Sequence, residues 1–168
     1  MAVALWSIAA APHADKAERI LASNPDYGLW QESFSPSGRW IVFEAVNRRL
    51  NEGTATLYVI PSAGGPEAHW TALTDPHAWA DKPRWSPDGN LLYFWLRQGS
   101  LYNVWALRFD DAHGTAVGAP FQVTHFDGRA RQINTNIGST DQSVSRTGIL
   151  LPMTDTSGSI WMLDNVDR

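Results

Sequence analysis

The sequence predicts an all-β fold, a β-propeller of four-stranded antiparallel blades, with about three blades present in an incomplete ring. Three observations carry that expectation. A tight-turn motif recurs along the chain, each copy opens a β-rich apolar run, and an aliphatic–aromatic pair follows each run. Internal periods of this length are the mark of arrays and propellers.

The turn comes first. Phe34-Ser35-Pro36-Ser37-Gly38 recurs as Trp85-Ser86-Pro87-Asp88-Gly89, and a degenerate copy follows at Val144-Ser145-Arg146-Thr147-Gly148. The steps, Phe34 to Trp85 to Val144, are 51 and 59 residues. Proline presets φ at the first central position, Asp or Ser suits the second, and Gly takes the place where φ turns positive. Apolar runs on both sides make each copy a hairpin. The runs that follow are Trp40–Phe43, Leu91–Phe94 and Ile149–Leu151.

The aliphatic–aromatic pairs are Leu5-Trp6, Leu57-Tyr58, Val104-Trp105 and Ile160-Trp161. A polar turn comes next, such as Ser62-Ala63-Gly64-Gly65 or the stretch from Asp110 to Gly114. A fourth short strand closes each period, at Trp70–Thr74 and Phe121–Thr124. Four short strands with Gly and Pro at the turns make one blade. With strands lettered A to D, residues 1–24 supply C and D of a partial blade. Residues 25–76 and 77–127 are full blades, and 128–168 are a last blade lacking strand D. Phe34 and Trp85 are expected to superpose as buried strand-A residues.

The Phe/Trp-Ser-Pro-Asp/Ser-Gly motif followed by Leu-Tyr or Val-Trp resembles the WD40-like, or PD40, repeat of TolB-type propellers, over nearly the whole chain. The stretch from Ser143 to Met162 resembles the last blade of large bacterial PD40 proteins. That resemblance implies a propeller often preceded by a kinase or DNA-binding domain, and a periplasmic or extracytoplasmic setting. A closed ring needs at least four blades, so missing blades or a second copy are expected to complete it. The junction between two copies would hold five strands.

Composition narrows the function classes. The chain has no Cys, which excludes disulfides and thiolate chemistry. A net charge of −4 argues against generic nucleic-acid binding. No apolar stretch is long enough for a membrane helix, and no membrane insertion is expected. His13, His69, His77, His113 and His125 form no ligand motif, so no metal and no cofactor are expected. No nucleophile elbow or phosphate loop is present, and no catalytic residue is assigned.

The candidate binding residues lie on loops between strands D and A and between B and C, which emerge at one end of every blade. There stand Arg48, Arg49, Lys82, Arg97, Arg129 and Arg131, six of the thirteen basic residues, diluted by Asp26, Glu52, Asp81 and Asp141. Arginine forks bind carboxylates bidentately, so Arg48, Arg49, Arg97, Arg129 and Arg131 read either as an acceptor for an acidic partner or as an ordinary charged surface. Trp30 and Trp79 occupy comparable places ahead of their A strands and read as rim anchors or as packing between blades. The expected function is a non-catalytic binding, sensing or scaffold module for a protein, peptide or small anionic ligand. The alternatives are a propeller hydrolase or lyase, and the accessory propeller of a kinase or a prolyl-oligopeptidase-type peptidase. The enzyme alternative requires acids or His converging on the channel.

Overall fold

The computed structural model describes residues 4–7, 18–48, 53–128 and 130–158. Its strands are β1 (Ala4–Ser7), β2 (Arg19–Ser23), β3 (Tyr27–Phe34), β4 (Trp40–Asn47), β5 (Ala55–Pro61), β6 (Thr71–Ala72), β7 (Ala80–Trp85), β8 (Leu91–Gln98), β9 (Leu101–Asp110), β10 (Thr115–Gln122), β11 (Arg131–Ile133), β12 (Ser143–Val144), β13 (Ile149–Leu150) and β14 (Met153–Asp155). One 3₁₀ turn, Glu67–His69, precedes β6, and the described residues contain no α-helix. The Ile160-Trp161 strand and its indole fall outside the described residues.

Two complete antiparallel sheets run in chain order, β3-β4-β5-β6 and β7-β8-β9-β10. β1 pairs with β2, β12 with β13, and β11 with β14. The chain is therefore an all-β propeller segment, and the described residues do not close a ring. The first strands of successive sheets meet, β3 against β7 and β7 against β12, which makes them the inner strands.

The repeated turns explain the shared register. Phe34 faces Ile41 across the first hairpin, and Trp85 faces Leu92 across the second. Ser35 and Ser86 are buried, and each hydroxyl accepts the amide of the first residue of the next strand, Trp40 at 3.2 Å and Leu91 at 2.9 Å. Gly38 and Gly89 close these turns at φ of 70° and 77°, a region closed to most side chains. The third copy pairs Val144 with Ile149 over a turn two residues shorter.

The cores lie between sheets. Val42, Leu57 and Val59 of the first blade pack on Leu92, Phe94 and Leu107 of the second. Leu5, Leu21 and Ala22 cover Leu29, Ile41 and Phe43 on the far side of the first blade. Trp95, Tyr102 and Val104 meet Ile133 on the far side of the second. The sheets' apolar faces stack, and hydrophobic burial holds the array together.

The turns after the third strands reach back over the preceding sheet. The Asp111 carboxylate accepts from Ser37 Oγ at 2.7 Å and from the Arg39 guanidinium. Its carbonyl accepts from Trp40 Nε1 at 2.9 Å. One blade earlier, Gly65 N–H donates to Leu21 O at 2.8 Å and Asn24 Nδ2 to Glu67 Oε2 at 2.6 Å.

One expectation needs correction. Phe34 and Trp85 share a register, but Trp85 is 9% exposed and Phe34 is 57% exposed. Trp85 lies against Phe109 at 4.8 Å between centroids and packs among first-blade residues. The same position in the first blade faces the sheet before it. Among the described residues that sheet consists of β1 and β2 alone, too narrow to cover Phe34.

Candidate binding cleft

The inner strands are irregular at one matching point. Pairing of β3 with β4 slips between Trp30 and Ser33, and pairing of β7 with β8 slips between Asp81 and Arg84. Gln31 and Lys82 sit inside these slips at φ of 58° and 53°, the only non-glycine residues with positive φ among the described residues. Bulges re-aim side chains and end local pairing. Pro83 fits inside the second bulge because no ladder bond needs its missing N–H.

The bulges gather charge. Glu44 stands opposite Trp30, on the second strand of the first blade. Glu44, Asp81 and Lys82 are 4%, 2% and 3% exposed. Lys82 Nζ lies 3.6 Å from Asp81 Oδ1, and the same oxygen accepts the Lys82 backbone N–H at 2.6 Å. Burial, helped by the neighbouring Asp81 carboxylate, pushes the Glu44 carboxyl up to about 9. Glu44 therefore keeps its proton at neutral pH and shares a hydrogen bond with Asp81. A buried charge must be paired or neutralised, and here Asp81 is paired while Glu44 is neutralised.

With Trp30, Trp79, Ile137 and Gly138, these residues line a cavity of about 390 Å³. Trp30 is 52% exposed. A Cβ on Gly28 would come within 2.7 Å of Trp30 Nε1 and 3.5 Å of Arg48 Nε, so the missing side chain leaves room for both groups. Hydrogen bonds tie the inner strands across blades. Arg84 pairs with Asp141 and reaches Gln31 Oε1 at 3.4 Å. Gln142 Nε2 donates to Lys82 O at 2.7 Å. A larger hollow of about 460 Å³ at Ser86, Asp88, Tyr93 and Arg146 lies by the hairpin turns and holds no buried charge.

The structure brings two of the sequence-derived site residues together. The Arg97 guanidinium lies over the Trp79 ring, 5.2 Å from its centroid, and the Arg97 N–H donates to Trp79 O at 3.0 Å. Trp79 also packs against Gly53 of the first blade and the Trp95–Tyr102 core, so it works in the joint between blades as well as lining the cavity. Arg48 closes the first blade's end through its N–H to Asp26 O at 2.9 Å. Arg131 forms a two-pronged pair with Asp155, at 2.7 and 3.1 Å, on an exposed strand pair. Arg49 and Arg129 lie outside the described residues.

Trp30 and Trp79 are not equivalent positions. Trp30 faces Glu44 and Asp81 faces Trp95, so the counterpart of Trp30 is Asp81. Gly28 opposite Val46 is the counterpart of Trp79 opposite Arg97. Glu44 escaped the sequence reading altogether, although one signal was present: it is the single charge inside the run from Trp40 to Val46.

Among the described residues no cluster of three His, Asp or Glu side chains is spaced to hold a metal ion. No described helix is long and apolar enough to cross a membrane. No protein-family profile matches the chain, and no curated protein matches it. Among solved structures, the chain is similar to one assigned to TolB from Agrobacterium tumefaciens, at 12% identity and a TM-score of 0.31, over 83% of this chain and 80% of that one. The propeller assignment stands on the sheets, registers and inter-sheet cores described above.

Proposed function

We propose that this chain is a non-catalytic binding module that takes a peptide segment or a small polar ligand in the cleft between its inner strands. The observation that carries the reading is the half-exposed Trp30 indole beside a buried Glu44–Asp81–Lys82 cluster. Ligand sites are concave, with aromatic walls and a few placed polar groups, and half-exposed aromatic anchors dominate contact energies. A sensing or scaffolding role in a larger extracytoplasmic protein belongs to the same reading and rests on the sequence resemblance.

A hydrolase or lyase is the second reading, because a protonated Glu44 beside a second buried carboxyl, Asp81, is an arrangement that can divide acid and base roles. Geometry weighs against one common form of it. Glycosidase carboxyls stand about 5–5.5 Å or about 6.5–9.5 Å apart, whereas these two are hydrogen-bonded to each other.

The test is a titration with pooled tripeptides, followed by the indole N–H resonances of Trp30 and Trp79. Binding is expected to shift both resonances, and Trp30→Ala to weaken binding at least tenfold. A pool that moves neither resonance overturns the binding reading. Cleavage of the pool by the native chain, lost in Asp81→Asn, moves the conclusion to the enzyme.

A further inference from the structure

We propose that the cleft takes the primary ammonium end of a peptide, with the Glu44 and Asp81 carboxyls as its counter-charge and the Trp30 indole as its wall. The inference rests on the binding reading above and names the ligand chemistry of the same site.

Charge counting comes first. The buried cluster holds two acids, Glu44 and Asp81, against one base, Lys82. With both acids ionised it would be one positive charge short. The protein makes up the difference by leaving a proton on Glu44. A ligand cation reaching the cluster replaces that proton.

The second line is an unfilled acceptor. Gln142 is 3% exposed and spends its amide N–H on Lys82 O. Its Oε1 is buried without a partner among the described residues. Gln142 is tied to Lys82 behind the cleft and itself lines the neighbouring hollow. Its Oε1 therefore lies next to the cluster rather than in the cleft wall, and an ammonium with its three donors meets Glu44 and Asp81 first.

The rim supplies the complement. Trp79 Nε1 is buried without an acceptor among the described residues. Arg97 lies over Trp79, and Arg48 stands by Trp30. Those donors suit the carbonyls that follow an amino terminus. The same rim holds off an isolated cation with no acceptor behind it. The groups around the cluster are thus Trp30 and Gln31 from β3, Glu44 and Arg48 from β4 and its end, Asp81 and Lys82 from β7, Arg97 from β8 and Tyr102 from β9. Gln142 joins them, with Asp141 held by Arg84. Of these, Asp81 and Lys82 are the charges acting on Glu44.

The experiment is calorimetry at pH 7 in two buffers of different ionisation heat. The probes are triglycine amide with a free amine, N-acetyl-lysine amide, N-acetyl-arginine amide and fully capped triglycine. Free triglycine amide is expected to bind at least tenfold more tightly than the capped form, releasing close to one proton. Affinity rises with pH to a maximum between the ordinary amino-terminus value of about 8 and the Glu44 value of about 9, and falls above it as the ligand amine loses its proton. Glu44→Gln abolishes the proton release, and because the release is measured on the native chain the test does not depend on that variant folding. Tighter binding of the lysine or arginine probe overturns the amino-terminus assignment in favour of a side-chain cation. Equal binding of capped and free triglycine, or binding without proton release, overturns the cation altogether while leaving a binding cleft. If no probe binds and the tripeptide pool is also silent, both readings fall.

Discussion

Gln31 and Lys82 are one position in two successive blades: each has a positive φ, and each sits where the inner strand slips out of register with its neighbour. Left-handed backbone costs an ordinary residue about 1–2 kcal/mol. Strain of that kind persists only where the surroundings over-determine it. At Lys82 they do, through the Asp81 carboxylate on its N–H and the Gln142 amide on its carbonyl.

Substitution at Gln31 checks that strain. Gln31→Gly is expected to leave the urea midpoint equal or higher, because relief of strain offsets the added freedom of the unfolded chain. Gln31→Val is expected to cost more than about 1 kcal/mol, since a β-branched residue tolerates the left-handed region worst. A valine variant as stable as the parent would show that the bulge relaxes freely.

Glu44 sets a pH dependence with a definite sign. Its carboxyl is raised in the folded state to about 9, from an ordinary value of 4.5. The folded chain therefore binds more protons than the unfolded chain between those values, and stability falls as pH rises through that window. Denaturation midpoints at pH 6, 7 and 8 are expected to decline, and Glu44→Gln to flatten the decline. The Asp110, Asp111 and Asp155 carboxyls act in the opposite sense. Hydrogen bonds from His113, Arg39 and Arg131 hold them below the usual range, so their contribution disappears in acid.

Two glycines separate backbone strain from collision. Gly64 has a φ of 74°, and an added Cβ would lie 2.5 Å from the Leu21 carbonyl oxygen. Gly99 has a φ of 62° and open space around it. Gly99→Ala is expected to cost about 1–2 kcal/mol from conformation alone. Gly64→Ala costs more, because backbone must move on both sides of the joint. Chemical denaturation of the two variants side by side reads the difference, and equal losses would mean that the joint yields.

Trp85 and Phe34 offer the matching contrast in burial. Trp85→Ala removes a buried indole and is expected to cost about 3–5 kcal/mol. Phe34→Ala, at a half-exposed site, is expected to cost less than about 1 kcal/mol in the same denaturation series. A large loss at Phe34 would reveal a cover over it.

The fold was legible because the turn chemistry is local. Ser35-Pro36 and Ser86-Pro87 need only their neighbours to make a hairpin, and the period of 51 residues announces that the hairpins repeat. The cleft was harder to read. Its charges come from Glu44 in one blade and Asp81 and Lys82 in the next, and they meet only because two bulges turn the inner strands. Nothing in the residue types Gln31 and Lys82 signals a left-handed conformation. The arginines were legible as a group at one end of the blades but not in their partners. Arg131 found Asp155 by strand pairing, and Arg97 found Trp79 by a register that sequence spacing alone misplaces.

The clasp of Asp111 on Ser37, Arg39 and Trp40 has a bearing on how the array comes apart. Both described turns of this kind, at Asp111 and at Gly65–Glu67, grip the unit behind them, so those units are tethered by their successors as well as by face-to-face stacking. Stability in such a molecule is a sum over adjacent couplings, as in a linear chain of spins. Opening begins where a neighbour is lacking and travels inward one unit at a time. Amide exchange should accordingly be slowest in β4, β5, β8 and β9, which have company on both faces, and should quicken towards β1 and β14. Cutting the Asp111 clasp, as in Asp111→Ala, would speed exchange in β4 while leaving β9 slow, so that a single solvated carboxylate sets the size of the cooperative unit.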